Sequence, residues 1–202
     1  MVGHLESALD EFANNAENEL ACARPLDKFF QCFNPDGLYV NFNYTSTLQD
    51  LYEIDESHVL HIHGHVGCSP LLLGYKHGTL DLGEVFVEVH NGRGYMQKTE
   101  DYTDGIEDYY VHTAYDGLIA KLKTFSKPSM VETLSDFLAG EQIDEIVIVG
   151  HSMGSCDSDY FDFLNQRYPS AKWLISYHSD KDLCKERIRA LSPIPKYELW
   201  HL

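Results

Sequence analysis

Val59-Leu60-His61-Ile62-His63-Gly64 is the stretch that decides how this chain reads. A short apolar run ends abruptly in hydrogen-bonding side chains, as a buried parallel strand does where its carboxyl end opens into a site. Asn41-Phe42-Asn43-Tyr44-Thr45, earlier in the chain, has the same design. Ile146-Val147-Ile148-Val149 followed by Gly150-His151-Ser152-Met153-Gly154 repeats it a third time. Three apolar strands that carry Asn43, His63 and Ser152 to their carboxyl ends predict a single crevice at that edge of a parallel sheet.

The chain has 202 residues, enough for one domain with a sizeable core. Its 15 Lys and Arg stand against 32 Asp and Glu, a net charge of −17. So acidic a surface repels phosphate backbones and anionic lipid, which argues against nucleic acid and membrane surfaces as partners. A local pocket for a small anionic ligand is compatible with it. The five cysteines (Cys22, Cys32, Cys68, Cys156, Cys184) are scattered, odd in number and without a CxxC pair. With no signal-peptide pattern at Met1, they predict reduced thiols and a cytoplasmic protein. No apolar run approaches the ~20 residues needed to span a bilayer.

Apolar residues recur at helical intervals from Leu5 to Ala23, which predicts an amphipathic helix. Asn34-Pro35-Asp36-Gly37 is a turn, and strands are expected at Leu38 to Phe42, Val59 to His63 and Leu71 to Gly74. Thr47 to Tyr52 fits a short helix. Glu84 to Asp108 is acidic, rich in Gly and Tyr, and fits an irregular insert over the crevice. Val111 to Ala139 reads as helical, broken near Lys127-Pro128. Strand and helix then alternate: Glu145 to Val149, Ser158 to Gln166, Lys172 to Tyr177, Lys181 to Leu191, Tyr197 to His201. That order predicts a single α/β domain over residues 1–202, a mostly parallel Rossmann-like sheet with helices on both faces.

Several chemistries compete for these residues. Gly150-His151-Ser152-Met153-Gly154 after an apolar strand fits the G-x-S-x-G nucleophile elbow of serine hydrolases. Against it, the acidic Ser155-Cys156-Asp157-Ser158-Asp159 follows where a closely packed helix should begin. Little chain remains to supply an acid and then a histidine, and Asp180 with His201 is a strained choice. His61, His63 and His65 alternate, so on a continuing strand all three would point the same way and offer a metal site. No nearby aspartate completes such a set, Gly64 reads as ending the strand before His65, and no metal is expected. His61 alone reads as a partly buried, hydrogen-bonded side chain, whereas His63 beside Gly64 reads as functional. Asn43 taken singly is a turn-former; beside Tyr44 and Thr45, ahead of a helix, it joins the same site.

Taken together, four pieces resemble the AbiH family of bacteriophage abortive-infection proteins, distant relatives of the sirtuins. They are Asn41-Phe42-Asn43-Tyr44-Thr45 with Leu48 and Tyr52, His61-Ile62-His63-Gly64, Leu72-Leu73-Gly74-Tyr75, and Gly150-His151-Ser152-Met153-Gly154 with Asp157 and Tyr160-Phe161. Lys172-Trp173-Leu174-Ile175-Ser176-Tyr177 fits the family's next strand. The resemblance implies a sirtuin-like domain with NAD as substrate or ligand. It implies that Asn43 contacts the nicotinamide ribose or the attacking water and that His63 is the base. It places Asn43, Thr45, Gly64, Gly150, Ser152 and Asp157 around the dinucleotide, with Thr45 standing where an aspartate is usual.

The same resemblance implies a first strand followed by a Gly-Asn-Gly-Phe-Asp turn that would cradle phosphates. This chain opens Met1-Val2-Gly3-His4-Leu5-Glu6, with no Gly-x-Gly turn after an early strand. The expectation is an α/β sheet with its first strand missing, marginal in stability or reliant on another chain, and an upstream stretch that encodes the strand. The function implied is antiviral defence, with NAD glycohydrolase activity and a phage-derived trigger or partner chain. A nucleotide-binding sensor without turnover is the rival from another class, and a serine hydrolase is the third.

Overall fold

A computed structural model describes residues 2–30, 33–34, 36–74, 85–89, 95–99, 109–123 and 127–202. In chain order its elements are α1 (Val2–Leu20), α2 (Asp27–Phe30), β1 (Tyr39–Asn41), α3 (Thr47–Tyr52), β2 (Val59–His61), β3 (Val85–Val89), β4 (Tyr95–Thr99), α4 (Tyr109–Lys123), α5 (Val131–Phe137), β5 (Glu145–Ile148), α6 (Ser158–Arg167), β6 (Lys172–Tyr177), α7 (Lys181–Arg189) and β7 (Lys196–His201). Single 3-10 turns lie at Glu56–His58 and Ser155–Asp157. The chain separates into two compact units, residues 1–73 with 128–202, and residues 74–127.

The first unit is α/β with parallel pairing. β1 pairs with β2 (Tyr39 opposite Val59), and β5, β6 and β7 form a three-stranded ladder with β6 in the middle. The sequence predicted one sheet; these parallel strands fall in two ladders joined by side-chain packing. Trp173 and Ile175, two residues apart on one face of β6, are fully buried against Phe161 of α6 and Ile188 and Leu191 near α7. Truncating a core tryptophan typically costs about 3–5 kcal/mol, so this face contributes heavily to the unit's stability. A second apolar layer gathers Ile62, Leu134, Leu138 and Tyr160, with Val40 and Leu60 from the β1–β2 ladder and Ile146 from β5 packed on it.

The apolar run Leu71-Leu72-Leu73 is no strand. Its backbone groups are taken by loops: Leu72 N–H donates to the His63 carbonyl at 2.8 Å, and the Tyr44 hydroxyl donates to the Leu72 carbonyl at 2.9 Å. β2 stops at His61, two residues short of the predicted end, because Gly64 turns the chain at φ 95°. The three histidines therefore do not point one way. His61 and His65 stack at 3.9 Å with rings 4° from parallel, while His63 faces Asp157. The amphipathic helix α1 buries Ala13 and leaves Leu5 and Phe12 exposed.

α1 is tied to α3 through polar groups. The Glu17 carboxylate accepts from the Ser46 backbone N–H at 2.9 Å and from the Ser46 hydroxyl, and that hydroxyl lies 2.8 Å from His65 Nε2. His61 Nε2 is 2.9 Å from the Gln49 amide nitrogen, a donor.

In the second unit, β3 and β4 form an antiparallel hairpin with Val87 opposite Gln97, inside the stretch predicted as an irregular insert. The rest of that insert lies outside the described residues. Helix α4 of this unit begins with the exposed Tyr109 and Tyr110. Among the described residues no helix is long and apolar enough to cross a membrane.

Two expected outcomes follow from the turn and the histidine stack. A Cβ at Gly64 would sit 2.2 Å from the Pro70 carbonyl oxygen, whereas at Gly150 (φ 66°) it would meet nothing within 4 Å. Left-handed backbone costs a non-glycine residue about 1–2 kcal/mol, so Gly150→Ala should lose about that much. Gly64→Ala should lose clearly more, since the backbone must also move; urea unfolding of both variants checks the order. Burial, and next the charge of His65, push His61 below its ordinary 6.5, with the Asn43 backbone, Glu17 and Glu56 pulling the other way. The unfolded state then binds the proton more readily than the folded one, so His61's contribution is complete above 6.5 and is lost as pH falls. Urea midpoints should drop between pH 7.5 and 5.5, and His61→Asn should make that slope shallower.

Candidate functional site

The site begins with Asn41 at the end of β1, buried to 6% exposure. Its side-chain oxygen accepts the Asn43 N–H at 2.9 Å, and its amide nitrogen donates to the Thr45 carbonyl at 3.2 Å. Those two bonds bend residues 41–45 into a turn and satisfy backbone groups where the strand ends. The turn leaves the Asn43 side chain exposed and Thr45 half-buried, its hydroxyl 2.8 Å from that of Thr47. The sequence points to Asn43 rather than Asn41; the signal for Asn41 is an asparagine at a strand end, whose side chain can bond the backbone two residues on.

His63 follows β2 and is 5% exposed. Its Nε2 lies 3.1 Å from Asp157 Oδ1, and Asp157 Oδ2 lies 3.4 Å from His151 Nε2. One carboxylate thus bridges a histidine from the end of β2 and another from the end of β5. Asp157 sits in the 3-10 turn that caps α6, with its N–H on the Gly154 carbonyl at 3.0 Å. The ring of Phe42 fills the space between the histidines, 5.4 Å from His63, 4.4 Å from His151 and 5.6 Å from Tyr160.

The loop after β5 is held at three points. The Gly150 N–H donates to the Ser176 hydroxyl at 2.8 Å, the Met153 N–H donates to His151 Nδ1 at 2.8 Å, and the Arg187 guanidinium donates to the Ser152 carbonyl. Gly150 and Met153 take positive φ, 66° and 53°. Burial, followed by the negative charge of Asp157, pushes the Tyr44 hydroxyl up, so it remains a donor to Leu72. The same carboxylate contributes a smaller upward push on Tyr160, after burial.

Of the residues singled out in the sequence, the structure brings His63 and Asp157 into contact. Asn43, Thr45, Gly64, Gly150 and Ser152 lie in the turns that leave β1, β2 and β5. Among the described residues none of their side chains hydrogen-bonds to His63. His151, which was passed over, stands beside Asp157; its signal was its place inside the quoted Gly150–Gly154 motif. No group of three or more potential metal-ligating side chains is gathered among the described residues.

Ser152 is exposed, its φ is not positive, and among the described residues no histidine or acid bonds its hydroxyl. A nucleophile elbow needs the strain on the serine and a base within reach; here the left-handed residues are Gly150 and Met153. Treatment with a fluorophosphonate should leave Ser152 unlabelled, and Ser152→Ala should keep any hydrolytic activity within about tenfold, or ~1.4 kcal/mol. A covalent adduct on Ser152 would overturn this.

A family model described as "Bacteriophage abortive infection AbiH" matches residues 2–177. No curated protein and no solved structure matches the chain. The match runs through β1, β2, β5 and β6 and takes in Asn43, His63, His151 and Asp157. The chain therefore belongs to the AbiH family, and its role lies in bacteriophage abortive infection.

Proposed function

We propose that the defence role is exerted through NAD, bound and hydrolysed at the carboxyl ends of β1, β2 and β5. The observation that carries this reading is the pairing of His63 with Asp157. A carboxylate only accepts hydrogen bonds, so His63 presents Nε2–H to it and keeps its basic lone pair on Nδ1. A histidine so oriented can act as a general base through Nδ1. The surroundings fit a dinucleotide. Gly150 has open space where a side chain would stand, Asn43 and Ser152 are exposed, and the Arg187 guanidinium lies against the same loop.

In the hydrolysis, the bond between nicotinamide and C1 of its ribose breaks as positive charge builds on the sugar. Nicotinamide leaves neutral, water adds its oxygen to C1, and the water's proton passes to His63 and on to solvent. Asn43 orients the water or the ribose. The products are ADP-ribose, nicotinamide and one proton.

One observation favours a second reading, a nucleotide-binding sensor without turnover: His63 Nδ1 is buried. Turnover requires the 41–45 turn or the 64–72 loop to move so that water reaches it, whereas binding at the exposed Asn43 and Gly150 does not. Incubation with NAD, with nicotinamide followed by chromatography, separates the two. His63→Ala should reduce release by about 10²–10⁴ while changing the urea midpoint little. Release that is unchanged in His63→Ala removes His63 from the chemistry. Calorimetric NAD binding with no release in the parent establishes the sensor.

A further inference from the structure

We propose that His151 is a positioning residue: it holds Oδ2 of Asp157 so that Oδ1 stays aimed at Nε2 of His63. Only the kinetic arm of this assignment rests on the NAD-hydrolysis reading.

The tautomers follow from the geometry. His151 Nδ1 accepts the Met153 N–H at 2.8 Å, so its proton is on Nε2, 3.4 Å from Asp157 Oδ2. His63 gives its own Nε2–H to Oδ1 at 3.1 Å. Oδ1 is hydrogen-bonded by His63 and Oδ2 lies in contact with the His151 ring, so rotation of the carboxylate about its last bond parts it from both imidazoles. Asp157 is at the edge of the buried region, with 16% of its side chain exposed.

The loop is built to aim His151. Met153 takes φ 53°, a left-handed conformation uncommon for a non-glycine residue, and it is the N–H of Met153 that binds Nδ1. Its side chain is buried to 6% exposure, which locks the turn, and Phe42 and Phe161 lie against the imidazole at 4.4 and 5.0 Å. A histidine serving only to stabilise the turn would need Nδ1 alone. Nothing about the turn requires the far nitrogen to meet the carboxylate that also binds His63.

The two jobs of the ring can be separated by substitution. His151→Asn keeps an acceptor placed like Nδ1, so the bond from Met153 persists, but it falls short of Asp157. His151→Gln reaches Asp157 with its amide N–H and gives up the Nδ1 position. Both lose the ring against Phe42, so that loss cancels in the comparison. In the parent, ring-nitrogen NMR should show His63 and His151 as the Nε2–H tautomer. His63 should become a mixture of tautomers in His151→Asn and return toward Nε2–H in His151→Gln. Where NAD is turned over, kcat should fall about tenfold in His151→Asn with KM within about twofold, and His151→Gln should restore at least about threefold of the loss.

A parent in which either histidine carries its proton on Nδ1 overturns the assignment without any variant. So does a His63 spectrum that is the same in all three proteins, or a glutamine variant more damaged than the asparagine one. Absence of NAD turnover refutes the hydrolase reading alone, since the ring-nitrogen comparison still decides the role of His151.

Discussion

Asp157 is the constraint on which the site depends. Two imidazoles, one from the β1–β2 ladder and one from the β5–β7 ladder, meet on its carboxylate. Among the described residues the ladders share no strand-to-strand hydrogen bonds, and this polar bridge acts with the apolar layer around Phe42 and Ile62 to set one against the other. A carboxylate largely withdrawn from water is costly unless its oxygens find partners. Here each oxygen faces an imidazole, which gives the group a defined direction.

The glycines and the buried asparagine act in support of that bridge. Gly64 lets the chain reverse directly after His63, against the Pro70 carbonyl, and so fixes the backbone from which His63 projects. Asn41 shapes the turn that carries Phe42, the ring on which both histidines rest. In each case a residue chosen for backbone geometry determines the position of a side chain it never touches.

Much of this was legible in the sequence where pattern and structure obey the same local rule. Thr47–Tyr52 and Lys172–Tyr177 have the boundaries that periodicity assigned; α2 (Asp27–Phe30) is not read from the sequence, and the remaining strands and helices of the first unit differ by a few residues at their ends. The failures have particular causes. Leu71-Leu72-Leu73 has the composition of a strand, but its backbone is consumed by His63 and Tyr44, partners that no local pattern reveals. That Gly64 ends the strand before His65 is legible in the sequence; that β2 already stops at His61 is not. Phe12 belongs to a helical apolar pattern and is nevertheless exposed. The contact of His63 with Asp157 joins residues 94 apart. His63 is visible as a polar stop after an apolar run and Asp157 through the family resemblance, but their meeting is a property of how two ladders pack.

The unequal size of those ladders has a dynamic consequence. β6 is paired over four residues with β5 and over six with β7, with Trp173 and Ile175 sealed, whereas β1 and β2 share only three paired positions. Amide exchange with deuterated solvent should thus be graded, slowest along β6 and fastest in β1 and β2, because short ladders with few buried partners open without global unfolding. His63 is carried by the half that breathes and His151 by the half that stays shut. Local opening therefore parts the two imidazoles before the core is disturbed, and exposes the buried ring nitrogen on the timescale of those openings.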